Sequence, residues 1–394
     1  MVIDKNNIFV FVVCGSKEHI DTLHFSLKAL KKFSKNKIIV LTDSMRNEIP
    51  IAHDNVIDIK TPEHFNHHQA SIYLKTGINK FLPQGNLYCY LDTDVVALSS
   101  RVDDIFSFYI APISFTSDHC KIDVFSPSAV NCGCKENYDK GKAELDSIYE
   151  KFYKINLNGR SVLKDIDSTV LKSKSNKFVY LFHKLQYALP LKYYYLNSKY
   201  KFHKKEQSWY TNKGQRLTFP NSAEVVSKIE DLIGFTYDFK KHEWFDREGN
   251  SLSVLSCEHL LTYIEKKFAV KISGRNWQHW NGGVFLFDDS SADFLNAWHE
   301  KTMLVFQDKE WKTRDQGTLA ATVWEFNLQE HPLLPIEYNF LADYNNVAII
   351  YENNLSFNLL KQQRTIKPEF IHIYHNWGDK EWQVWRDVET LVDG

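Results

Sequence analysis

The stretch NLYCYLDTDVVALSS, residues 86–100, sets Asp92 and Asp94 one residue apart directly after the apolar run Leu87–Leu91. Such a run reads as a buried strand, so the two acids stand at its carboxyl end. Neighbouring carboxylates repel and are costly to desolvate; they need a cation, a shared proton or open water. The residues on either side decide which.

Upstream, NIFVFVVCGS (7–16) is a second buried strand ending at Gly15, and HIDTLHFSLKALKKF (19–33) places Ile20, Leu23, Leu27 and Leu30 on one helical face. KIIVLTD, NVIDIK and then a helix HQASIYLKTGINKFLP, stopped by Pro83, lead into the acidic strand. Strand and helix alternate, which predicts parallel strands with right-handed crossovers. Ligands collect at the carboxyl ends of the strands in such a sheet. After APISFTSDH the rhythm breaks: residues 120–271 read as mainly helical, with a hairpin near 235–252 turning at REGN. Alternation resumes at WNGGVFLFDD. The expected fold class is α/β, a Rossmann-like, mostly parallel sheet flanked by helices, divided as 1–119, a large helical insertion 120–271, and 272–394.

Composition is that of an ordinary globular chain of 394 residues, and a net charge of −1 gives no push toward nucleic acid. Residues 172–216 are the exception, with ten Lys and one Arg against the single acid Glu206, interleaved with eleven aromatics. That mixture suits peripheral contact with an anionic membrane, or equally a solvated face whose rings pack inward. The six cysteines are scattered in a pattern that fits a reducing compartment, and Cys132, Cys134 and Cys120 read as thiols in a loop because the usual zinc spacing is missing. No segment approaches the roughly 20 apolar residues of a membrane helix. The expected location is the cytoplasm, with peripheral contact at the inner face of the membrane through 172–216.

The segment SIYLKTGINKFLPQGNLYCYLDTDVVAL (71–98) resembles the retaining glycosyltransferases of the glycogenin and lipopolysaccharide galactosyltransferase type, which have the GT-A fold. Lys75 holds the basic position before Pro83, where that family usually has Arg, and Tyr90–Asp94 completes its YLDxD. WNGGVFLFD is similar to the family's Asn-small-Gly-Val segment (Asn281, Gly282, Gly283), RDQGTLA matches Asp-Gln-Gly/Asp (Asp315, Gln316), and HPLLPIEYNF is like the segment after it. The resemblance implies a metal-dependent transfer of a hexose, with retention, from a nucleotide sugar (a UDP-hexose) to a glycan or lipid-linked acceptor. Mn²⁺ or Mg²⁺ would sit on Asp92, Asp94 and a late histidine, His375 or His372; HIYHNWGDKEW keeps only part of the family's C-terminal pattern and leaves that choice open. Thr93, Gly282, Gly283, Lys75 and Lys380 would line the donor, Asp315, Gln316 and Asn281 the reacting sugar, and Asp43 or Asp118 the nucleoside, unless those two are turn residues. Two other readings stand beside it. DTDVV also opens like a haloacid dehalogenase-type phosphatase with Asp92 as nucleophile, although two strands too late; the third reading is a non-catalytic nucleotide-sugar-binding module.

Overall fold

A computed structural model of the chain describes residues 6–153, 159–217, 223–343 and 346–394. The chain forms two compact units: residues 1–133, 256–344 and 367–394 make up unit 1, while residues 134–255 and 345–366 make up unit 2.

Unit 1 is built on a six-stranded sheet. Its strands are β1 (Asn7–Val12), β2 (Lys37–Thr42), β3 (Val56–Asp58), β4 (Leu87–Leu91), β6 (Ile113–Lys121) and β7 (Gln278–Phe287), in the order β3-β2-β1-β4-β7-β6. The first four run parallel, and β7 lies antiparallel between β4 and β6. Helix Lys17–Phe33 joins β1 to β2, and helix His67–Thr76 leads back across to β4. The chain therefore winds one way from β1 and the other way to β4, leaving a crevice at the carboxyl ends of these two strands. Val10, Phe11, Cys89 and Leu91 have no exposed surface, which is why the strands read as unbroken apolar runs.

A second, three-stranded sheet carries the chain past the acids. β5 (Val95–Ala97) begins one residue after Asp94 and pairs antiparallel with β9 (Phe370–His372), which pairs parallel with β8 (Phe340–Leu341). The register sets His372 opposite Val95.

Unit 2 contains helices Cys134–Tyr153, Gly159–Ser175, Lys177–Ala188 and Ala223–Ile233. It also contains a four-stranded antiparallel sheet over 193–217 and a three-stranded one over 349–366. The first of these falls in the basic-aromatic segment that the periodicity assigns to helix and loop: Tyr193–Tyr195 alternates too briefly to announce a strand, and its partners define it. The hairpin is present, as Thr236–Asp238 against Glu243–Phe245, but the turn lies at 239–242. REGN makes the following turn, closed by a Phe245–Ser251 bridge. The helix expected to run to Pro83 ends at Thr76. At its C-cap, Gly77, an added Cβ would stand 3.1 Å from the His299 ring, and a 3₁₀ turn follows over Ile78–Lys80.

Candidate functional site

Four elements of unit 1 bring the site together. Helix His67–Thr76 starts with a capping box between Asn66 and Gln69 and turns His68, Ser71, Ile72 and Lys75 (i, i+3, i+4, i+7) toward the crevice. β4 delivers Asp92 and Asp94. The first turn of helix Arg314–Glu325 holds Asp315 and Gln316, an acid at the favourable end of the helix dipole. β9 supplies His372. A cavity of about 540 Å³ opens between β1 and β4, bordered by Val13, Cys14, Lys75, Asp92–Asp94, Asp315 and Tyr374 among others. Its size suits a small organic ligand.

Lys75 organises one side. The residue is 8% exposed, and its ammonium lies 3.1 Å from Asp92 Oδ1 and 3.2 Å from Asp315 Oδ2. Burial alone would depress its pKa; the two carboxylates outweigh burial and hold it above the usual lysine range. Burial likewise works to raise Asp315, and Lys75 reverses that, keeping the carboxyl below its ordinary value. The Tyr90 hydroxyl donates to Asp92 Oδ1 and its ring stacks on Phe285 at 4.8 Å. Tyr90 precedes Asp92 by two residues and so shares its strand face, a sequence signal that goes unused in the motif reading.

The other side is set by a chain of hydrogen bonds whose direction follows from chemistry. Asp118 Oδ2 can only accept, so the atom of Asn281 facing it at 3.0 Å is the amide nitrogen. Asn281 Oδ1 then accepts from Gly283 N (2.8 Å) and from Asn339 Nδ2 (2.9 Å), and that same Nδ2 also reaches Thr116 Oγ1 at 2.7 Å. This leaves Asn339 Oδ1 as the acceptor toward His372 Nδ1 at 3.0 Å, so Nδ1 carries a hydrogen. The opposite ring nitrogen, Nε2, faces Asp94 Oδ1 at 3.2 Å. Nε2 can hold a proton against Asp94 or offer its lone pair to a cation. Burial lowers the basicity of His372, but Asp94 more than restores it, and Asp94 is in turn held below the ordinary carboxyl range despite its burial.

Ligand atoms of Asp92, Asp94 and His372 lie within 4.8 Å of one another. Two hard oxygens and an imidazole, the latter steadied by a carbonyl on its far nitrogen, fit a divalent cation of the Mn²⁺ or Mg²⁺ kind. The glycines after Asn281 are required by close approach: a Cβ on Gly283 would fall 2.6 Å from His372 Cε1, and one on Gly282 would fall 2.8 Å from Gln316 Oε1. Gly282 N donates to that same Gln316 oxygen at 3.0 Å. Thr93 borders the cavity, and its carbonyl accepts from Ser26 Oγ.

Three expected residues stand elsewhere. His375 is exposed and outside the cluster, because only 370–372 pair with β5 and the chain turns away beyond Tyr374. Lys380 is ion-paired with Glu389, with its side chain 64% exposed. Asp43 is buried but holds the loop after β2: its Oδ2 accepts from Thr61 N, Thr61 Oγ1 and Arg46 Nε. Asn339 belongs to the network although HPLLPIEYNF gives it no role by itself, and Asp118, expected at the nucleoside or in a turn, holds Asn281 instead. His119, 2.9 Å from Asp118, completes that end.

No protein-family model matches the chain, and no curated protein does. Among solved structures it is similar to the apo WbbM bifunctional glycosyltransferase, at 12% identity and a TM-score of 0.45 over 100% of this chain and 50% of that one. It is also similar to the galactosyltransferase LgtC in complex with donor and acceptor sugar analogs (10%, TM-score 0.39, 98% of this chain and 95% of that one). Mouse xyloside xylosyltransferase 1, apo form, follows at 9%, TM-score 0.37, 94% and 98%. The chain spans half the length of the WbbM chain. All three TM-scores are below 0.5, so residue roles rest on the geometry above.

Replacing Lys75 by Met leaves Asp92 and Asp315 without their shared counter-charge and is expected to destabilise the fold by about 3–5 kcal/mol in urea unfolding; a loss under about 1 kcal/mol would mean solvent already screens the pair. Asn339→Leu removes the acceptor for His372 Nδ1–H. Titration calorimetry should show Mn²⁺ affinity falling about 10–100-fold, and unchanged affinity would deny Asn339 its orienting role.

Proposed function

We propose that the chain is a metal-dependent glycosyltransferase of the GT-A type, moving a hexose from a nucleotide sugar, a UDP-hexose, to a glycan or lipid-linked acceptor with retention. The observation that carries this reading is the juxtaposition of Asp92, Asp94 and His372 with a cavity at the β1/β4 crossover, bordered on its far side by Asp315.

Asp92, Asp94 and His372 would hold the cation, whose chemistry when bound is to neutralise charge on a departing diphosphate. The protein's own groups supply the remainder. Lys75 fixes the carboxylates of Asp92 and Asp315 in one arrangement and brings a buried positive charge to the cavity wall. Asp315, ionised and immobilised, is suited to steady positive charge developing at an anomeric carbon. Gly282 and Gly283 let the strand pass close to Gln316 and His372. Against the phosphatase reading, Asp92 Oδ1 already receives hydrogen bonds from both Tyr90 and Lys75, which blunts it as a nucleophile.

Asp94→Asn is expected to reduce Mn²⁺-dependent turnover of a nucleotide sugar by at least a hundredfold while leaving the melting temperature without ligand within a few degrees. A screen of UDP-sugars with and without Mn²⁺ by thermal shift identifies the donor. Full transfer in EDTA, or phosphate release from an aryl phosphate, would overturn the reading.

For unit 2 we propose peripheral contact with an anionic membrane, and the exposure of its apolar side chains supports that reading. Helix Lys177–Ala188 has no buried residue, and Phe178, Leu181, Phe182 and Leu185 are each more than half exposed. Lys184 lies among them in the sequence, Lys177 directly before them and Lys192 just beyond the helix. Rings and aliphatics beside lysines match an anionic bilayer surface. Among the described residues no helix is long and apolar enough to cross a membrane, so the contact proposed is peripheral, at the cytoplasmic face. Phe178→Ser with Phe182→Ser should abolish co-flotation with phosphatidylglycerol vesicles; unchanged flotation would discard the contact.

A further inference from the structure

Away from the crevice, unit 1 gathers a set of soft ligands that the sugar-transfer reading does not use. Cys132 follows helix Ile122–Ala129, and Cys257 and His259 lie at the start of helix His259–Phe268. Ligand atoms of Cys132, Cys257 and His259 lie within 4.8 Å of one another. Cys132 Sγ and Cys257 Sγ stand 3.8 Å apart. A disulfide would need about 2.05 Å. Two sulfurs each about 2.3 Å from a tetrahedral ion stand about 3.8 Å apart, the edge of a zinc–thiolate tetrahedron.

The positions are fixed from beneath. Cys257 N donates to Asp123 O at 2.9 Å, and Ser126 Oγ meets Cys257 Sγ at 3.1 Å while accepting from Leu260 N. On the other side Asn131 N donates to Glu310 O, and Val130 bridges Trp311. Ile122, Val130, Leu260, Ile264 and Trp311 pack as one apolar cluster under both segments.

We propose that Cys132, Cys257 and His259 hold one zinc ion. Two thiolates and one imidazole supply three of its four tetrahedral positions, with water in the fourth. Binding releases two thiol protons to solvent and leaves a site of no net charge. Its place gives it a purpose: the chain leaves unit 1 after Gly133 and re-enters it at Ser256. The ion ties these two ends together, closing unit 1 across the break made by the long insertion. The spacing C-x-H is shorter than common zinc motifs, and Cys132 is distant from it in sequence, so the set is visible only after folding.

The full-length chain, expressed with zinc supplied and purified under reducing conditions without chelator, should contain one zinc per chain by plasma mass spectrometry. Co²⁺ in its place should give strong thiolate charge-transfer absorption. Cys257→Ser should lose both signals; His259→Asn, at the exposed first residue of its helix, should keep the fold and lose zinc at least tenfold more readily to a chelator. Asp94→Asn should retain the ion, which separates this site from the crevice and leaves the sugar-transfer reading untouched whichever way the result falls. A parent chain without zinc, a Cys132–Cys257 disulfide in unreduced peptides, or zinc lost with Asp94→Asn and kept with Cys257→Ser would each overturn the proposal.

Discussion

The ammonium of Lys75 between two partly buried carboxylates is the constraint on which the crevice depends. Asp92 and Asp315 come from a strand and a helix far apart in sequence, and each would resist burial alone. One cation between them makes both burials tolerable and fixes the end of β4 against the start of helix Arg314–Glu325. Asp94 is left to a different partner, His372, on a different sheet. Thus two acids one residue apart are stabilised from opposite sides, which is why their mutual repulsion does not open the strand end.

The polar network behind His372 works in the same spirit. Each amide in the run Asp118–Asn281–Asn339–His372 has its orientation dictated by a group that can only accept or only donate, so no member can flip without leaving a buried atom unsatisfied. Glycine at 283 is part of that device: the strand must come within contact distance of the imidazole ring for its amide to reach Asn281 Oδ1. Packing and hydrogen bonding thereby decide which ring nitrogen faces the acids.

Much of unit 1 is legible in the sequence because its signals are local. Apolar runs mark β1, β2 and β4, and the quoted motifs gather Lys75, Asp92, Asp94, Asn281, Gly282, Gly283, Asp315 and Gln316 around one region. What stays hidden is long-range register. His372 and His375 differ only in whether their stretch pairs with β5, and nothing within FIHIYHNW states that. Lys380 finds Glu389 on the neighbouring helix, a contact decided by the fold of the C-terminus. In unit 2 the sheet over 193–217 escapes notice because short aromatic strands carry little periodicity of their own, and its segment 345–366 is contributed from beyond the second half of unit 1.

The late arrival of β9 has a bearing on how the molecule is made. β4 and its two acids leave a ribosome well before the histidine that faces Asp94, which follows both segments of unit 2. Until then Asp94 has water for company and the crevice lacks one wall. A nascent chain that has not yet reached β9 therefore carries the acidic pair without its imidazole, so the centre is assembled only once both segments of unit 2 have been made.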